Sequence, residues 1–80
     1  MTMERWGIFT TKGELDDMIE RVNKAGFEIF EVRPLTFTEK MVYVQNDARL
    51  FVNEPQIIMF NTTKSKYKRF IRRNKLRGVF

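Results

Sequence analysis

The carboxylates of this chain stop at Glu54. Residues 1–54 hold seven Lys/Arg and ten Asp/Glu, whereas residues 55–80 hold eight Lys/Arg and no acid, so the two parts carry −3 and +8 and together give the net +5. A terminal element made this way cannot be held by ion pairs of its own. It has to dock through an apolar stripe onto a body of different charge, and this requirement limits the possible folds more than any other feature of the sequence.

The cationic stretch supplies such a stripe. Thr63 is an N-cap residue, KSKYKRFIRRNKL follows it, and Gly78 is placed to stop a helix. On that helix Tyr67, Phe70, Ile71 and Asn74 fall on one stripe, with Lys66, Arg69, Arg72 and Arg73 on the opposite side.

The body has clear local signals as well. Thr11-Lys12-Gly13-Glu14 matches a capping box and predicts a helix from about residue 12. Leu15, Met18, Ile19 and Val22 then make one buried stripe, and Asp17/Arg21 and Glu20/Lys24 form i, i+4 pairs in the favourable order. Gly26 supplies a left-handed stop, with Phe27 placed against Val22.

Strand formers occupy Arg5–Thr10 and again Phe27–Arg33, which ends at Pro34. The apolar phase of the second strand shifts from Phe27/Ile29 to Phe30/Val32, and either a β-bulge or two covered faces would account for it. Met41–Gln45, Arg49–Val52 and Gln56–Asn61 read as further strands, separated by turn-like Asn46-Asp47 and Asn53-Glu54-Pro55. The expected order is β-α-β-β-β-β-α. It describes an α+β fold with helices on one face of a curved, largely antiparallel sheet.

At 80 residues the chain is short of the usual ~100–200 per domain, so residues 1–80 form a single domain, with 62–80 as its basic C-terminal helix and tail. Hydrophobic residues at 42% and eleven aromatics (eight Phe, two Tyr, one Trp) provide enough apolar volume to fold. The absence of Cys and His removes disulfides, Cys/His zinc sites, cysteine nucleophiles and Ser–His triads. The longest wholly apolar runs, Met41–Val44 and Ile57–Phe60, are four residues each, far below the ~20 that span a bilayer. MTMERWGIF shows no signal-peptide pattern, so Asn61-Thr62-Thr63 is a chance glycosylation triplet and an intracellular, cytoplasmic setting is expected.

Catalysis is not expected. Asp16 and Asp17 suit a first helical turn, Glu20 pairs with Lys24, Glu28 and Glu31 punctuate a strand, and Glu39 and Asp47 complete no metal-binding spacing. Gly7, Gly13, Gly26 and Gly78 form no phosphate loop. No cofactor, metal or catalytic residue is therefore assigned.

The functional signal is Lys64, Lys66, Lys68, Arg69, Arg72, Arg73, Lys75 and Arg77, eight cations in fourteen residues. Lys64 and Lys66 oppose the helix dipole at ~0.3–1 kcal/mol each, and Lys64/Lys68, Lys68/Arg72 and Arg69/Arg73 repel at i, i+4. A solubilising surface is the plain alternative, but this arrangement is frustrated until a polyanion relieves it. Tyr67 and Phe70 interleave with the cations as stacking residues do, although their place beside Ile71 favours the core. Trp6, Phe9, Phe51 and Phe60 pose the same choice on the sheet, without the strand signature of an RNA-recognition module. A membrane-surface role is set aside because three apolar residues make too small a face.

The expected activity is non-catalytic nucleic-acid binding, with phosphates on Lys66, Lys68, Arg69, Arg72, Arg73 and Lys75. The alternative is a small modulator or inhibitor, of the kind viruses make, that occupies an acidic surface or nucleic-acid channel of another protein. Neither DNA nor RNA is preferred by the residues, and a homodimer is compatible with both readings.

Overall fold

A computed structural model describes residues 3–43, 53–76 and 78–79. The three apolar segments predicted around residues 5–10, 27–33 and 56–61 become β1 (Glu4–Thr11), β2 (Glu28–Pro34) and β3 (Pro55–Thr62). β3 lies in the middle of the three, antiparallel to both neighbours, with Trp6 opposite Phe60 and Val32 opposite Ile58. A two-residue strand, β4 (Gly78–Val79), extends the sheet on the far side of β1 to give the order β2-β3-β1-β4.

Strand alternation divides the side chains between two faces. Trp6, Ile8, Ile58 and Phe60 face a layer of two helices, α1 (Leu15–Lys24) and a C-terminal helix (Lys64–Asn74), whose Met18, Val22, Tyr67 and Phe70 complete the main core. Phe9, Ile57 and Met59 face the other way and pack with Leu35. Ile57–Phe60 is a continuous apolar run for this reason, because both faces of β3 are covered.

The bulge is the answer to the phase shift in β2. The register passes from Ile29 opposite Phe60 directly to Glu31 opposite Met59, so Phe30 is the extra residue. Phe30 and Val32 are left more than a third exposed, and the guanidinium of Arg5 covers the Phe30 ring at 4.6 Å.

Helical structure does begin at Lys12, first as a 3-10 turn (Lys12–Glu14) and then as α1. The Thr11 side chain makes no capping hydrogen bond, so the box expected there is not formed. The end of α1 does match expectation. Gly26 has φ +83°, its amide donates to the Asn23 carbonyl, and the Phe27 amide donates to the Val22 carbonyl, which together make a Schellman end.

The expected strand at Met41–Gln45 is wrong for its first three residues, which belong to a helix, α2 (Phe37–Tyr43). A reciprocal capping box at Thr36 and Glu39 starts it: the Glu39 amide donates to the Thr36 hydroxyl at 3.2 Å, and the Thr36 amide donates to the Glu39 carboxylate at 3.0 Å. The Arg33 guanidinium then grips the same carboxylate with two bonds of 2.6 and 2.8 Å. Val44, Gln45, the Asn46-Asp47 turn and the strand expected at Arg49–Val52 lie outside the described residues.

The chain is therefore α+β, with three long antiparallel strands and three helices among the described residues, but its element order is not the predicted one. A helix follows β2, and a short strand occupies Gly78, where a helix stop was expected. No described helix is long and apolar enough to cross a membrane.

Candidate nucleic-acid interface

Thr63 starts the C-terminal helix, α3 (Lys64–Asn74), as expected, because its hydroxyl accepts the Lys66 amide at 3.4 Å and its carbonyl accepts the Tyr67 amide at 2.9 Å. The first turn holds no acid. Helix formation therefore brings Lys64 and Lys66 to the positive end of the dipole without a neutralising carboxylate in that turn.

The far end is stopped by Lys75 and not by Gly78. Lys75 is left-handed at φ 52°, its amide donates to the Arg72 carbonyl, and the Leu76 amide donates to the Ile71 carbonyl. These bonds repeat the Schellman pattern of α1, and Leu76 folds back onto the main core.

Tyr67 and Phe70 anchor α3. Tyr67 is fully buried, its ring stacks on Trp6 with centroids 4.5 Å apart, and its hydroxyl donates to the Gly7 carbonyl at 2.6 Å. Phe70 is 6% exposed and meets Phe60 and Phe27 edge-on. Tyr67 thus has no surface on which a base could stack, and Phe70 offers very little. Phe9 and Phe60 are also core residues and Trp6 is half-buried against the core, while Phe51 lies outside the described residues.

Lys64, Lys66, Lys68, Arg69, Arg72, Arg73 and Lys75 are all exposed. Arg77 lies outside the described residues. Helical spacing sorts six of the seven into two rows on either side of the buried stripe: Lys66, Arg69 and Arg73 beside Phe70, and Lys64, Lys68 and Arg72 beside Ile71.

Five carboxylates of the body are engaged elsewhere. Asp17 binds Arg21 and Glu20 binds Lys24 at 3.0 Å, Glu54 binds Lys12 at 3.5 Å, and Glu31 and Glu39 share Arg33. Among the described residues, no ion pair joins a carboxylate to a cation of α3. Arg33 with its backbone neighbours holds the Glu39 carboxyl down at about 2, and the two carboxylates raise the guanidinium above its usual range. This clamp fixes α2 and is separate from the cationic rows. No group of three or more Asp/Glu gathers into a metal-binding arrangement among the described residues.

Sequence reasoning missed one part of the surface. The row Lys66, Arg69 and Arg73 forms one wall of an open notch of about 250 Å³, lined otherwise, among the described residues, by Ala25, Phe27 and Phe70. Phe27 was expected to contact Val22 at the end of α1 and to open the second strand. It is half-buried between the end of that helix and the cationic row, a position that no local signal in either segment records.

Compared with protein-family models, curated proteins and solved structures, the chain matches none, so the functional reading rests on this geometry.

Proposed function

We propose that the protein is a non-catalytic nucleic-acid-binding domain whose α3 takes the phosphate backbone on Lys64, Lys66, Lys68, Arg69, Arg72, Arg73 and Lys75. The observation that carries this reading is the set of exposed cations on α3, which have no carboxylate partner among the described residues although the body holds several ion pairs. Intramolecular pairing has been used where it stabilises α1 and α2 and is absent where like charges crowd together. Bound phosphates would replace that repulsion with attraction, and release of condensed counterions would add a driving force.

A titration of labelled DNA and RNA oligonucleotides of random sequence over a range of salt concentrations tests the proposal. If about five phosphates are neutralised, log K falls with log salt at a slope of about −3.5 for single strands to about −4.5 for duplex. Absence of binding at low salt overturns the reading and leaves an acidic protein surface as the partner for α3.

A further inference from the structure

We infer that the notch beside α3 is a seat for one unstacked base, so that the protein binds single-stranded nucleic acid in preference to duplex. The inference rests on the phosphate-binding reading and adds the feature that reading lacks, a place for something other than phosphate. Three observations support it.

The first is the chemistry of the lining. Phe27, Ala25 and Phe70 make an apolar floor and side, and Lys66, Arg69 and Arg73 make a cationic wall, with no carboxylate in the lining among the described residues. A bare phosphate would need the wall alone. A nucleotide has a flat apolar base next to an anionic backbone, and this surface presents both halves in the same order.

The second is the rigidity of the floor. The Phe27 ring lies parallel to Phe60, with a 1° angle between planes and centroids 5.2 Å apart, and meets Phe70 edge-on at 5.4 Å. Its amide is tied into the end of α1 by the bond to Val22. The ring is thus held in place before any ligand arrives, and little side-chain freedom is lost when a base stacks on it.

The third is reach. Lys66 and Arg73 are seven residues apart on α3, which at 1.5 Å per residue is about 10 Å of helix, enough to contact the phosphates on both sides of a seated nucleotide. Bases of a duplex are stacked and paired and cannot enter a notch beside the phosphate row, whereas a single strand can turn one out. The α1 end also borders the notch. Its partial negative charge favours the cationic wall.

The test compares single-stranded and duplex forms of one labelled oligonucleotide of about 20 residues, by fluorescence anisotropy at matched salt, for the wild type and Phe27→Leu. Leucine keeps an apolar side chain against Phe60 and Phe70 but removes the aromatic face. The expected result is tighter binding of the single strand by the wild type, and a loss of about tenfold for the single strand alone in Phe27→Leu, with its salt slope unchanged. Equal binding of both forms, with Phe27→Leu indistinguishable from wild type, overturns the base seat while leaving the phosphate reading intact. Failure of either form to bind at low salt overturns the phosphate reading and the seat with it.

Thermal melts establish whether Phe27→Leu is folded. Independently of that variant, irradiation of the wild type with an oligonucleotide containing 5-iodouracil should crosslink to Phe27 or Phe70. Crosslinks confined to other positions overturn the proposal.

Discussion

Lys75 shows how much a single backbone conformation can tell. It closes α3 in the left-handed region, where a Cβ is crowded by the following carbonyl at a cost of roughly 1–2 kcal/mol. Glycine accepts that conformation freely, so Lys75→Gly is expected to stabilise the fold by about 1 kcal/mol in denaturant melts, less whatever the more flexible unfolded chain takes back. Tyr67 marks the opposite case, a polar atom at the centre of the core. Its hydroxyl is the buried donor to the Gly7 carbonyl at 2.6 Å, so Tyr67→Phe is expected to cost about 1–3 kcal/mol, visible as a shift in the denaturant midpoint at unchanged slope.

Among the elements, α2 depends most on a contact from outside itself. It has seven residues, too few to be stable alone, and is held by the Thr36 capping box and by Arg33 reaching across from β2. The Glu39 carboxyl is held at about 2 against an ordinary value of 4.5, so its ionised form is favoured in the folded state. The stability it contributes is fully present above about pH 4.5 and is lost as pH falls toward 2. Melts of the wild type and Glu39→Gln should differ by about 1 kcal/mol at neutral pH, a value reduced by the partial exposure of the pair, and should converge at about pH 2. A difference that persisted at the acid end would place its origin in packing and not in the carboxylate.

At the scale of the whole molecule, fold and charge are arranged on different surfaces. The side of α3 that holds the domain together carries Tyr67 and Phe70, and its cations point away from that contact. Replacing Arg69, Arg72 and Arg73 together by Glu should therefore leave the fold intact. The Arg69/Arg73 repulsion is only exchanged for one between two carboxylates, while relief of the Lys68/Arg72 repulsion and new pairs with Lys66 and Lys68 are set against acids in the last turn, so melts should move by no more than about 1 kcal/mol. Nucleic-acid binding should be lost for all sequences alike, since phosphate contacts carry no base information. If the triple variant binds every oligonucleotide as the wild type does, α3 is a solubilising surface and nothing more.

How much of this could be read from the chain depends on how each feature is encoded. The stripe of α1, its Gly26 stop, the Thr63 cap, the anchor face of α3 and the three long strands were legible because each is written within one segment as a period or an end signal. The charge division is a property of composition and needed no structure. Two Thr-x-x-Glu patterns are present; a helix start was expected at Thr11 and none at Thr36, yet only the second closes, with Arg33 of β2 holding its Glu39. The short apolar run at Met41 fits either period, and its first three residues fall in the helix that the Thr36 box starts. Likewise, Phe30 became a bulge only through its pairing with β3. The notch is the extreme case: Phe27 shares it with Lys66, Arg69 and Arg73 because α1 and α3 both cover the same core. Signals within single segments were enough for α1, α3, the three long strands and the place of the charge; packing between segments, as of Phe27 with cations some forty residues on, decided which side chains share a surface, since no periodicity within one segment records what another will bring to it.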